Sequence, residues 1–379
     1  MIKLIVMITV ALFIGYCNCH CERKEDELLS VVGIRNSAVP SAIHLNILFR
    51  HGDKTPKLEY FDVYPNNPWN IPKLWNHSDY GFVTTAGKLN VYNRGKWLRE
   101  RYKQFLPEKY SAKNIFVQSS DSDRVLASAQ LLLAGLFPPK GTDVWNDNLM
   151  WQPIPIHSVP DYNDTEVAQK VTCSKYTKLL DKQLKSDVHE FEDTKYLSQY
   201  IGKELTSLEQ IYKLYKLLRI VEENGMVLPG WALNAMPLLK TKTDLLCKTY
   251  SLTLEMQRFM GGPIIHAMSS HFDAVLAKSP NAPKLLLFAG HSRTISNVLM
   301  ALNAFIEQPP YTATLLFELK KNCNGTPFVD IYYQTNKTGD PAEIVKNMPY
   351  KTFQDHLNPI SVDHSTWRKE CRTGFIFRE

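Results

Sequence analysis

The chain has 379 residues, 44% hydrophobic and 22% charged, enough apolar material for one large domain or two smaller ones, each with its own core. It carries no long polar or low-complexity tract and no repeat at solenoid or propeller spacing, which excludes a disordered chain and a repeat array. The formal net charge of +6 favours anionic ligands, but it is dispersed, and no nucleic-acid partner is expected.

At the N-terminus, Lys3, the apolar run from Leu4 to Gly15 and the small residues of Cys17-Asn18-Cys19 form the pattern of a secretory signal peptide over residues 1–19. The run is too short to span a bilayer. Sequons at Asn76, Asn163, Asn324 and Asn336 fit a glycosylated, secreted protein. Beyond the signal, Cys173, Cys247, Cys323 and Cys371 are an even set for two disulfides in an oxidising compartment, with Cys21 left odd. No Cys-x-x-Cys pair or His-rich cluster is present, so neither a metal site nor a cofactor is expected. The C-terminus carries no apolar span or lipid-anchor tail, and a secreted, extracellular protein without a membrane anchor is the expectation.

The apolar run Ile43 to Phe49 stops abruptly at Arg50-His51-Gly52, the pattern of a buried strand opening into a functional loop. Helical spacing of Leu89, Tyr92, Trp97 and Leu98 predicts a helix from Thr84 to Tyr102, capped by Thr84 or Thr85. A second strand, Ile115 to Val117, leads through Ser119 to Arg124 into an apolar helix, Val125 to Leu136, stopped by Pro138-Pro139. From about Thr165 to Gln257 the pattern turns to helices and polar linkers, read as a helical cap (165–257) inserted into a core formed by 43–164 and 258–379. A third strand, Lys284 to Ala289, breaks at Gly290-His291 before a helix from Ile295 to Phe305. Strands at Leu315 to Leu319 and Phe328 to Tyr333 follow, with a turn at Asn324-Gly325. Three strands that each run through a loop into a helix predict an α/β fold, with a central, mostly parallel sheet flanked by helices. Ligands of such sheets bind beyond the carboxyl ends of the strands, where Arg50, His51, Arg124 and His291 all fall.

Those residue types suit phosphate. The guanidinium fork matches phosphate oxygens in pairs, and a neutral imidazole can attack phosphorus and carry a covalent intermediate. Gly52 permits close backbone approach, and Lys54 adds a cation two residues on.

The stretch Leu48-Phe-Arg-His-Gly-Asp-Lys-Thr-Pro56 resembles the signature of the histidine acid phosphatases, a branch of the histidine phosphatase superfamily. Further similar blocks are Thr84 to Tyr102, Ser119 to Arg124 with Leu136-Phe-Pro-Pro139, Trp151 to Pro160 and Leu228-Pro-Gly-Trp231. The resemblance thus runs from about Ile43 to Cys371, and within the family it is most like secreted insect enzymes, venom acid phosphatases among them. It implies His51 as nucleophile, Arg50 and Arg124 as clamps on the phosphoryl oxygens, and His291 as a further donor. A small phosphate monoester or inorganic phosphate is the implied ligand. It also implies a Cys173–Cys371 disulfide, leaving Cys247 and Cys323 to pair outside the family pattern.

Two positions depart from that pattern. Lys54 stands where the family has arginine, keeping the charge but losing the fork. Ser292 stands where the family has an acidic proton donor directly after the second histidine, and a hydroxyl is a far poorer acid. Asp53 is a candidate substitute with a structural role as the alternative. Three readings follow: a secreted acid phosphatase weakened at Ser292, an impaired phosphoester-binding protein of a venom or saliva, and mutase chemistry on the same fold, which the signal peptide disfavours.

Overall fold

The computed structural model describes residues 42–75, 79–186, 191–335 and 339–372. The signal segment 1–19, Cys21 and the sequons at Asn76 and Asn336 lie outside them. The described strands are β1 (Ala42–Arg50), β2 (Ile115–Ser120), β3 (His157–Val159), β4 (Leu285–Gly290), β5 (Thr314–Lys321), β6 (Pro327–Gln334) and β7 (Ala342–Pro349). They form one sheet in the order β3-β2-β4-β1-β5-β6-β7. The α/β architecture is as the sequence implied, and the sheet is mixed: three pairings on the β3-to-β1 side are parallel and three from β1 to β7 are antiparallel.

β1 is central because its side chains alternate between two cores, as strand periodicity requires. Leu45, Ile47 and Phe49 join the core under α1 (Thr85–Arg101) and α2 (Asp123–Leu136). Leu48 joins the opposite core. Among the described residues, the region from 165 to 257 is helical and free of strands, with α3 (Ser174–Ser186), α4 (Ser198–Ile201), α5 (Leu208–Glu223), α6 (Gly230–Thr249) and α7 (Leu254–Met260). Its core also takes in Tyr60, Phe61, Trp69 and Trp75 from the segment after β1. The chain then returns to the sheet through α8 (Gly262–Leu276), α9 (Ser292–Ala301), α10 (Tyr350–Leu357) and α11 (His364–Arg372).

Helix α1 forms where expected, with Thr84 as its cap accepting a 3.1 Å bond from the Gly87 amide. The buried face is another matter. Leu89 and Tyr92 are 58% and 37% exposed, whereas Gly87, Val91, Gly95 and Leu98 are buried. The reason is close packing: a Cβ on Gly95 would lie 2.0 Å from the Leu132 carbonyl of α2. Helix α9 begins earlier and ends earlier than its apolar pattern implied, since Asn303 takes a left-handed φ of 54° just past its end.

Cys173 and Cys371, 198 residues apart, form the disulfide that the family resemblance implied, beside Phe259, Val362 and Trp367. Closing a loop this long removes much unfolded-state freedom, so Cys173→Ser should cost about 2–5 kcal/mol. Urea denaturation of oxidised protein is the measurement, and an unchanged midpoint would show that the crosslink adds nothing. The second pairing is not made. Cys247 is buried in α6, and its thiol accepts from Gln308 Nε2 at 3.6 Å, while Cys323 is exposed in the turn between β5 and β6. The even count of cysteines could not reveal that one lies in the cap and the other at the far end of the sheet.

Candidate active site

The parallel strands end level. Arg50 is in register with Gly290, and Ser119 with Ala289, so the loops leaving β1, β2 and β4 open at one rim. His51 follows β1, His291 caps α9, and Arg124 sits in the first turn of α2. Arg124 reaches both histidines: its Nε donates to His51 Nε2 at 3.4 Å, and its Nη2 lies 3.3 Å from His291 Nδ1. The two imidazole centroids are 5.7 Å apart. Arg50, His51, Arg124 and His291, read from distant parts of the sequence, are therefore together, and Lys54 is buried in the same pocket.

Local packing sets these positions. The Ser128 hydroxyl on α2 donates to the Arg124 carbonyl at 2.6 Å and accepts from the Gly52 amide at 3.1 Å, coupling Arg124 to the loop. Gly87 meets the same loop from α1, where a Cβ would fall 2.2 Å from the Asp53 carbonyl. Arg50 is buried over the Tyr311 ring, 3.9 Å from its centroid, and Nη1 donates to the Pro309 carbonyl at 2.5 Å. Its Nε is buried without a hydrogen-bond partner, an uncommitted donor beside His51.

Hydrogen bonding also assigns the tautomers. His51 Nδ1 is 2.8 Å from the Gly52 carbonyl, which can only accept, so Nδ1 carries the proton. Its Nε2 faces the donor Nε of Arg124 and keeps its lone pair. His291 is the reverse: Nδ1 accepts from Arg124, and Nε2 donates to Ser120 Oγ at 2.9 Å. Burial, reinforced by Arg50, Arg124 and His291, holds His51 well below the usual imidazole range. Burial and Arg124 do the same for His291. Both rings therefore stay neutral into the acidic range.

The cavity measures about 260 Å³. Arg50, Lys54 and Arg124 lie around His51, Lys57 and Lys170 are more exposed, and Lys216 and Arg293 complete the cationic lining. Among the described residues, no aspartate or glutamate lines it. Burial, with Arg124 and Lys216 beside it, pushes the Lys54 ammonium well below its ordinary pKa; Nζ donates to the Thr55 carbonyl at 3.0 Å and sits 4.7 Å over the Tyr60 ring. Ser292 lines the cavity at the start of α9. Asp53 does not, and its carboxylate accepts from Asn90 at 2.9 Å on α1. Among the described residues, no cluster of three His, Cys, Asp or Glu is placed to hold a metal ion. Asn163 and Asn324 are exposed in turns.

Sequence reasoning missed Ser120, Tyr311, Lys216 and Arg293. A signal existed for Lys216, which follows Tyr212 by one helical turn on a helix whose neighbouring positions are buried and apolar. For Tyr311 there was none, because only the return of the chain before β5 brings it beneath Arg50.

Residues 43–334 match the family model of the histidine phosphatase superfamily, branch 2. The chain is 30% identical over 367 residues to a lysosomal acid phosphatase of Xenopus laevis, covering 90% of this chain and 83% of that protein. It is 32% identical over 311 residues to a venom acid phosphatase of Apis mellifera, covering 79% of each. To the prostatic acid phosphatase of Homo sapiens it is 30% identical over 349 residues, covering 87% of each. The apo form of Hafnia alvei phytase shares the fold, with a TM-score of 0.66 at 16% identity over 88% of this chain and 98% of that one. A match of this extent, on a site with this geometry, makes the chain a member of branch 2 of the histidine phosphatase superfamily.

Proposed function

We propose that the protein is a secreted acid phosphatase that hydrolyses phosphate monoesters through a phosphohistidine on His51. The observation that carries this reading is the unprotonated Nε2 of His51 facing a lining of cations without a carboxylate. Phosphoryl transfer is mainly a matter of position and charge stabilisation, and Arg50, Lys54, Arg124 and His291 surround the place where the phosphoryl group must sit. Nε2 attacks phosphorus and the ester P–O bond breaks, the electron pair leaving with the alcohol oxygen. Water then attacks phosphorus and the P–N bond breaks, its electron pair returning to Nε2, which releases inorganic phosphate and restores neutral His51, the proton given up by water balancing the one taken up by the alcohol. Neutrality at low pH is what lets a histidine nucleophile work there. Secretion rests on the N-terminal pattern, on the Cys173–Cys371 disulfide and on a venom relative.

The absence of any carboxylate in the lining favours one second reading, a protein that binds phosphoesters with little turnover. An assay of the full-length glycoprotein on 4-nitrophenyl phosphate between pH 4 and 7 decides between them. Arg50→Ala should lower kcat/KM about 10²–10³-fold and abolish thermal stabilisation by vanadate, since it removes a buried clamp donor. Vanadate stabilisation that survives unchanged in this variant would place the anion site elsewhere.

A further inference from the structure

The cationic lining is larger than one phosphoryl group requires. Arg50, Lys54 and Arg124 gather around His51, and of the other four cations Lys57 and Lys170 are ion-paired with Glu59 and Asp161. Lys216 and Arg293 differ. Among the described residues neither has an ion-pair partner, yet both are held in place. Lys216, only 4% exposed on α5, donates from Nζ to the neutral Gln308 Oε1 at 2.8 Å. The guanidinium of Arg293 stacks 3.8 Å from the Tyr250 ring centroid. The two belong to one wall, for both bear electrostatically on Cys247, and Arg293 and Arg50 both bear on Tyr212.

An ammonium buried against a neutral amide is unfavourable without a counter-charge. Burial and the nearby Arg50 push Lys216 down to about 7 against a weaker opposing pull from Glu223, so it is charged in acid, with a neutral amide and no carboxylate in direct contact with its ammonium. The cavity, at about 260 Å³, has room for a small organic group between two anions rather than for a large enclosed ligand.

From this arrangement we infer that Lys216 and Arg293 form a second anion subsite, so that the preferred substrates are small phosphate monoesters whose leaving group carries a further anionic group, phosphate or carboxylate. The inference rests on the phosphatase reading for the first subsite and adds the class of leaving group. Arg293 directly follows Ser292, so the strand-end loop that lacks a proton donor carries a substrate-positioning cation instead.

The test compares phenyl phosphate with 3-carboxyphenyl phosphate at pH 5, esters whose leaving groups are similarly basic. The carboxylated ester should have a kcat/KM about tenfold or more higher, expressed in KM, as expected of a charge-assisted contact made equally in ground and transition states. Arg293→Gln and Lys216→Met should each bring the ratio of the two esters towards one. A ratio near one in the unaltered protein, or one that persists in both variants, overturns the subsite. Calorimetric binding of phenylphosphonate and 3-carboxyphenylphosphonate separates this inference from the phosphatase reading, because it needs no turnover. Binding of the carboxylated phosphonate about tenfold tighter, lost in Arg293→Gln, upholds the subsite even where neither ester is hydrolysed. Equal binding of the two phosphonates overturns it whether or not the esters turn over.

Discussion

Replacing His51 with alanine should reduce hydrolysis of 4-nitrophenyl phosphate by at least about 10⁴-fold, because the substitution removes the atom that accepts the phosphoryl group. Rapid alkaline quench of the unaltered protein during turnover should trap phosphate on the chain that is labile to acid and stable to base. In His51→Ala that adduct should vanish. The fold should survive, since the backbone of residue 51 keeps its bonds to Gly290 and Thr312 whatever the side chain. Vanadate binding should weaken but persist through Arg50, Lys54 and Arg124. An adduct of unchanged yield in the variant would assign the nucleophile to another residue and remove the mechanism proposed here.

The second large effect is expected at Ser292. Nitrophenolate departs without a proton, whereas an alkyl alkoxide needs one as the bond breaks, and a missing general acid typically removes about 10²–10⁴ in rate. The unaltered protein should therefore turn over aryl esters slowly and alkyl esters more slowly still. Ser292→Asp should raise alkyl ester turnover by up to that factor and aryl turnover much less. The first turn of α9 accepts an acidic side chain well, so the variant should fold. The surrounding cations and the helix terminus favour its ionised form, which is inactive as a donor. The gain should accordingly be largest at the acid end of the pH profile and fade as pH rises. Little leaving-group bias in the unaltered protein, with no response to Ser292→Asp, would mean that another group already supplies the proton. If neither form turns over any ester while both bind vanadate, the protein is a phosphoester-binding protein.

What the sequence disclosed about this site follows from the kind of signal each part leaves. β1, β2 and β4 were legible because they are short apolar runs that stop at polar loops, and Arg50, His51, Arg124 and His291 stand at or just beyond those stops. β3 was not, having three residues and one pairing partner, and neither was β7, an edge strand whose side chains are largely exposed. The buried stripe of α1 could not be read from apolar spacing, because small residues at the contact with α2 carry no hydrophobic signal, while Leu89 and Tyr92 face outward. The cap's share of the cavity was hidden for another reason. Lys216 and Cys247 reach the site through tertiary packing of α5 and α6, which no local pattern encodes. That the cavity wall lacks a carboxylate could be seen only once the wall was assembled.

The Cys173–Cys371 crosslink bears on how long such a molecule survives among proteases. Any single cut between those residues falls inside the closed loop, so the two fragments stay covalently joined. The piece carrying Arg50, His51 and Arg124 would thus retain the piece carrying His291 after a cut in a cap linker, held by packing and by one sulfur–sulfur bond. A nicked molecule should run as one band without reductant and as two with it. Its activity should outlast cleavage for as long as the crosslink remains oxidised.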